Sequence, residues 1–187
     1  MGTIHSLILY QRNGAQNHMS NSVYKQSNLI ITTKNINNKP ITPKRVNIVS
    51  LKMVKEKTSL YANRKIASPS DAAELLREFL ENSDREMFLV CCLDSKNQPT
   101  CINVVSIGTL NSSLVHPREV FKTAILANSH SILVAHNHPS GDLSPSKEDI
   151  AVTQRLNDVG KLIGINLIDH LIIGSQNHAS LKDQGYL

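Results

Sequence analysis

Two histidines two positions apart and an aspartate eleven positions further on, His136, His138 and Asp149, are the residues here whose types and spacing suggest chemistry first. They lie in one run, Ala135-His-Asn-His-Pro-Ser-Gly-Asp-Leu-Ser-Pro-Ser-Lys-Glu-Asp149. At the end of an extended segment, residues i and i+2 project to the same side, so both imidazoles can grip one ion. Ser144 reads as the N-cap and Pro145 as the first residue of a helix, which places Ser146 and Asp149 three apart on one helix face. Ser146-x-x-Asp149 also has the form of a capping box, a competing reading in which the aspartate only closes a helix end. Two imidazoles and a carboxylate leave the fourth tetrahedral position of zinc open for water, which separates a catalytic site from a closed structural one. One Zn2+ per chain is the expected cofactor. A second carboxylate nearby would take a proton from that water and pass it to a leaving amine. Glu86 is the best candidate, because it follows a polar stretch and directly precedes an apolar run. Glu119 is its rival, although an acid in a first helical turn is favoured for dipole reasons alone.

Something must hold these groups, and the pattern predicts alternating strands and helices. Ser68-Pro-Ser-Asp71 supplies a cap, a proline at the first helical position and an acid, opening a helix over residues 68–82 with Ala72, Leu75, Leu76, Phe79 and Leu80 on one face. Residues 86–93 form an apolar run of the kind buried on both faces, ended by the turn formers Asp94-Ser-Lys-Asn97. A partner strand follows over 100–107. A helix is expected from His116 to Asn128, a third strand over 131–135, a long helix from Ser144 to about Ile163 with Gly164 as C-cap, and a last strand over 165–173. Val46, Ile48 and Val54 fit a first strand imperfectly. The result is an α/β domain over residues 46–187, with helices packed on a mixed β-sheet.

His-x-His-Pro, a six-residue gap, Ser-x-x-Asp and an upstream Glu resemble the JAMM (MPN-plus, JAB-type) metalloprotease motif. The strings Gly108-Thr-Leu-Asn-Ser, Val115-His-Pro-Arg-Glu-Val120, Ala135-His-Asn-His-Pro-Ser-Gly141 and Asp169-His-Leu-Ile-Ile-Gly174 are similar to the RadC-type branch of that family. The resemblance covers residues 46–187 and implies a JAB/MPN fold of cytidine-deaminase-like architecture. It makes His136, His138 and Asp149 the zinc ligands, Glu86 the base and Ser146 the hydrogen-bond donor to the oxyanion. It implies a peptidase or isopeptidase whose protein or peptide substrate is unidentified. Longer RadC proteins carry a helix-hairpin-helix segment before this domain. Residues 1–45 do not look like one, so a short form without direct duplex binding is expected. Asn137 and Ser140 are expected to hold loop geometry. Asp169 and His170 read as a hydrogen-bonded pair supporting the sheet end, with a carboxylate orienting a zinc histidine as the alternative.

Several other metal classes are set aside by what is missing. There is no His-x-Glu with Pro-Cys-x-x-Cys, as zinc deaminases need, and no His-Glu-x-x-His. The three cysteines, Cys91, Cys92 and Cys101, lack metal-knuckle spacing and read as reduced core residues, or as a cross-hairpin pairing of Cys91 or Cys92 with Cys101. Residues 1–65 hold eleven Lys or Arg against Glu56, whereas residues 66–187 hold nine against fourteen acids, so the net +5 resides in the N-terminal third. The Asn-rich segment 1–45 is expected to be disordered, either touching nucleic acid or simply solvated. That leaves an alternative of a different class: an accessory protein in DNA repair or mobile-element biology whose metal site is not catalytic. No apolar run approaches the ~20 residues of a membrane span, and no signal peptide is recognisable, so a cytoplasmic location is expected.

Overall fold

The computed structural model describes residues 45–81, 83–108 and 115–187. The expected leader therefore lies outside the described residues apart from Arg45. Residues 45–61 carry no helix or strand, and Val46, Ile48 and Val54 are exposed, which corrects the strand expected there. Its apolar residues do not alternate strictly, so no single face of it could be buried.

Regular structure starts with α1 (Pro69–Leu80) and continues through β1 (Met87–Leu93), β2 (Pro99–Ile107), α2 (Pro117–Leu126), β3 (Ser131–Asn137), α3 (Lys147–Ile163), β4 (Asn166–Ile173) and β5 (His178–Ser180). The strands form one mixed sheet in the order β2-β1-β3-β4-β5. β1 is antiparallel to both β2 and β3, β3 is parallel to β4, and β5 returns antiparallel. This is the α/β mixed sheet read from the sequence, with β5 as an added edge.

The central strands are buried on both faces, as their unbroken apolar runs require. Leu89, Cys91, Leu93, Leu133, Ala135, Leu171 and Ile173 face α1. Phe88, Val90, Cys92, Ile132, Val134 and Leu167 share the other core with Val120, Phe121, Ala124 and Leu156 of α2 and α3. The cysteines are free thiols, with Cys92 opposite Cys101 in the β1–β2 ladder. Burial pushes the Cys91 thiol up to about 12, so it stays protonated in the core. Among the described residues, no helix is long and apolar enough to cross a membrane.

Two local features prepare the site. The β3–β4 register runs from Ile132 opposite Leu167 to Val134 opposite His170, so β4 holds one extra residue over that interval. Such a bulge reverses the alternation of every side chain beyond it. His170 thereby shares the α3 side with Leu167, while Leu171 and Ile173 turn to α1. The second feature is the N-terminus of α3. Its N-cap is Ser146, not Ser144, and Pro145 precedes the cap. Asp142 accepts the Ser144 N–H at 2.9 Å, which keeps that residue in the loop.

The buried stripe of α3, Thr153, Leu156 and Gly160, follows the helical period. Gly160 permits a close approach: a Cβ there would lie 2.6 Å from the Ile165 carbonyl oxygen and 3.4 Å from the Phe121 ring. Gly160→Ala gains ~1 kcal/mol of helix propensity, yet it must push backbone apart at a cost of about 1–3 kcal/mol. We expect a net loss of stability, read as a lower urea midpoint with an unchanged slope. A raised midpoint would mean that α3 does not pack on the β4 entry this tightly.

Candidate metal centre

β3 ends at Asn137 and α3 begins at Lys147, so the loop between them brings a helix N-terminus back over the strand end. His136 and His138 approach with their Nε2 atoms 3.0 Å apart. Asp149 Oδ1 lies 3.3 Å from His136 Nε2, and Oδ2 lies 3.5 Å from His138 Nε2. One ligand atom from each of the three residues falls within 4.8 Å of the others. His136 is fully buried, and the other two are partly so. The spacing argument and the three-residue geometry agree.

What each ring does with its other nitrogen decides whether a cation fits. Thr153 Oγ1 donates its single hydrogen to the Asp149 carbonyl at 2.6 Å. The 2.6 Å contact between Thr153 Oγ1 and His170 Nδ1 must then have the ring as donor. A neutral His170 protonated on Nδ1 presents a lone pair at Nε2, so the 2.8 Å contact with His136 Nδ1 has His136 as donor. In the uncharged ring His136 Nε2 is then the bare nitrogen. His138 Nδ1 lies 2.7 Å from the Asp142 carbonyl, which can only accept, so His138 Nε2 also carries a lone pair unless the ring is charged. Burial pushes His170 well below its ordinary pKa, as the neutral form requires. Two lone pairs and a carboxylate facing one another repel unless something positive lies between them. The donor set therefore fits a divalent metal.

A proton can take that place when no metal does. The His138 pKa is raised, chiefly by its hydrogen bond to Asp149. Burial alone would raise the Asp149 pKa, but its contacts with His136 and His138 outweigh burial and hold the carboxyl far below the usual range. Phe88 walls the site, stacked on His136 with ring centroids 6.1 Å apart and edge-on to His170 at 5.3 Å.

Ser146 and Asp149 form a complete capping box. Ser146 N–H and Oγ–H both donate to Asp149 Oδ2 at 2.7 Å, and Ser146 Oγ accepts the Asp149 N–H at 3.1 Å. The hydroxyl hydrogen of Ser146 is thus directed at the carboxylate in this state. Glu86 lies just before β1, half-buried and outside the three-residue cluster, with its charge felt at His138. Glu119 is spent elsewhere, paired with Lys122 and Arg118 on the exposed side of α2. His116 is the N-cap residue of α2.

The pair Asp169-His170 divides across the bulge. Asp169 Oδ2 accepts Ser180 Oγ at 2.7 Å, and Oδ1 accepts the Lys182 N–H at 3.2 Å, so the carboxylate ties the C-terminal turn to the sheet. His170, not Asp169, contacts His136. Thr153 completes the site without having been singled out, and His170 does so in the orienting role that was weighed for the neighbouring carboxylate. Thr153 could have been found as the i+4 neighbour of Asp149 on one helix face. His170 was singled out with Asp169, but which of the two reaches His136 depends on the bulge.

The family model of the RadC-like JAB domain matches residues 66–186. A UPF0758 protein of Methanosarcina barkeri is 51% identical over 124 residues, which are 66% of this chain and 54% of that protein. A UPF0758 protein of Desulfitobacterium hafniense is 53% identical over 122 residues, 65% of this chain and 54% of the relative. One of Desulforamulus reducens is 45% identical over 148 residues, 73% and 65% of the two chains. The chain thus spans about half the length of the first two of these curated relatives.

Thr153→Val keeps the shape but leaves the His170 Nδ1–H without an acceptor, freeing the ring to change tautomer. We expect one metal ion still bound per chain and an affinity reduced by roughly 10- to 100-fold in a chelator competition. An unchanged affinity would disconnect Thr153 from the site. Metal must also displace the proton from His138, whose pKa is raised chiefly by its hydrogen bond to Asp149. Apparent affinity should therefore rise with pH up to that raised value and level off beyond it. Calorimetry in buffers of different ionisation enthalpy should show proton release only on the acid side.

Proposed function

We propose that this chain, which belongs to the RadC-like JAB-domain family, is a zinc-dependent metallohydrolase that cleaves peptide or isopeptide bonds in a protein or peptide substrate. The observation that carries this reading is the convergence of two imidazole Nε2 atoms and one carboxylate at the end of β3, with the charge of a further carboxylate, Glu86, felt at His138. His136, His138 and Asp149 would hold the ion, one per chain. When bound, zinc supplies Lewis-acid polarisation of a carbonyl and acidifies water. Glu86 takes the proton from the attacking water and returns it to the leaving nitrogen. Ser146 swings its hydroxyl from Asp149 Oδ2 to the developing oxyanion, exchanging one acceptor for another of higher charge. His170 and Thr153 keep the His136 ring in the tautomer that leaves Nε2 free.

Metal content of the purified protein, and of His136→Ala, His138→Ala and Asp149→Ala, tests the ligand set by mass spectrometry. About one zinc per chain in the wild type and loss in each variant is expected. Glu86→Gln should keep the zinc while lowering turnover of a peptide or isopeptide library substrate by about 100-fold or more. Stoichiometric zinc with undiminished hydrolysis in Glu86→Gln would remove Glu86 from the mechanism. No metal in the wild type after reconstitution would remove the hydrolase.

A second reading has its own observation, the balance of eleven basic residues against one acid over residues 1–65. In it the protein is a nucleic-acid-bound accessory factor of repair or mobile elements. DNA binding by the full chain would then weaken steeply with salt and disappear when residues 1–45 are removed. Binding that ignored either change would sink this reading.

A further inference from the structure

Asn137 stands between the two histidines and contributes no atom to the ligand set. Its side chain is nonetheless almost fully buried, at 5% exposure, and both ends of its amide are committed. Oδ1 accepts the Met87 N–H at 2.8 Å, and Nδ2 donates to the Arg85 carbonyl at 3.0 Å. These two backbone groups flank Glu86 on either side. The Glu86 carbonyl itself accepts the Gly108 N–H at 2.7 Å.

The ladder explains the arrangement. β1 and β3 pair from Leu93 opposite Ser131 to Phe88 opposite His136, and backbone pairing ends there. A primary amide carries one donor and one acceptor side by side, like a peptide group. Asn137 thus continues the β3 edge of the ladder for one more residue, with side-chain atoms in place of backbone. Its own backbone meanwhile stays in register with Ile173 of β4. The segment 85–87 is consequently held from the β3 side by Asn137 and from the β2 side by Gly108. Only Asn and Gln carry the donor and acceptor on neighbouring atoms of one planar primary amide, and Gln is one methylene longer.

We infer that Asn137 is the positioning residue that fixes Glu86 relative to the metal ligands, joining proton transfer and metal binding through one buried amide. The inference rests on the base role proposed above for Glu86. A purely structural asparagine would support the strand end. This one spans the residue that must reach the water, and it grows from the peptide unit that links the two histidines. Displacement of either group relative to the other therefore has to stretch the same pair of hydrogen bonds.

The test uses the full chain loaded with cobalt(II), whose visible d–d absorption changes with pH and needs no substrate. Wild type, Asn137→Ala, Asn137→Asp, Glu86→Gln and the double variant Glu86→Gln with Asn137→Ala are compared. Asn137→Asp keeps an acceptor for Met87 N–H but turns an oxygen on the Arg85 carbonyl, so it serves where the alanine fails to fold. Both Asn137 variants are expected to bind one cobalt with affinity within about threefold of the wild type. Their absorption midpoint should move in the direction that Glu86→Gln moves it, by roughly half a pH unit or more, and the double variant should move no further than Glu86→Gln alone. Hydrogen exchange at the Met87 amide should accelerate by roughly tenfold. A shifted midpoint in Glu86→Gln with a wild-type midpoint in both Asn137 variants overturns the positioning role and leaves the base assignment standing. An unshifted midpoint in Glu86→Gln overturns the base assignment and the positioning role together. Loss of cobalt in both Asn137 variants, as in His136→Ala, also overturns it, because the amide would then be supporting the ligand strand alone.

Discussion

A buried hydrogen-bond chain of fixed direction is the constraint on which the remainder of the site depends. The Asp149 carbonyl can only accept, so Thr153 must donate to it, His170 must donate to Thr153, and His136 must donate to His170. Reversing any one link would put two lone pairs or two hydrogens face to face in a place sealed from water, at about 1–3 kcal/mol for each group left unpaired. The chain begins in the first turns of α3, crosses β4 and ends on β3, so it fixes the helix relative to both strands. It also fixes which nitrogen of His136 faces His138 and Asp149. Phe88, stacked against that ring, excludes the water that could otherwise offer each link an alternative partner.

The β4 bulge is what lets this chain close. Without the extra residue, strict alternation would send Asp169 toward α3 and His170 toward α1, into a core of Leu89, Leu133 and Ala135. With it, both polar residues find partners on opposite faces: Asp169 with Ser180 and the Lys182 N–H, His170 with His136 and Thr153. Burial pushes the Asp169 carboxyl upward, and it is those hydrogen bonds that offset the cost of keeping it inside. A single inserted residue thus serves the C-terminal turn and the candidate metal centre at once.

Much of this was legible in the order of residues, and the exceptions have physical causes. The unbroken apolar runs of β1 and β3 announced strands buried on both faces, and Gly164 marked the end of α3 through its left-handed backbone, φ 74°. His136 and His138 were readable because period-two geometry is local. The start of α3 was misplaced because Pro145 fits the first helical position well and Ser144 fits a cap. The choice was decided by the loop, where Asp142 draws in the Ser144 N–H. The face that His170 takes was out of reach because a bulge is a relation between two strands and leaves no mark on one. The strand expected over residues 46–54 failed for the same kind of reason, since apolar residues make a strand only where a neighbour pairs with it.

Capping box and ligand were framed as rival readings of Ser146-x-x-Asp149, and the geometry shows that they need not compete. The carboxylate has two oxygens and several lone pairs to share. Oδ2 takes both Ser146 donors, while Oδ1 remains directed at His136 Nε2. The capping bonds are therefore what aims the carboxylate, stopping the rotation that would otherwise carry Oδ1 away from the imidazoles. There is an electrostatic side as well. The N-terminus of a helix carries a partial positive charge of roughly half a unit and on its own would repel a cation. A carboxylate at the third helical position reverses the sign of the field at that end. The anion is stabilised by the helix, and the helix end becomes a place where a cation can rest. On this argument Asp149 belongs where a capping residue belongs, and its second task follows from the loop that brings the histidines beneath it.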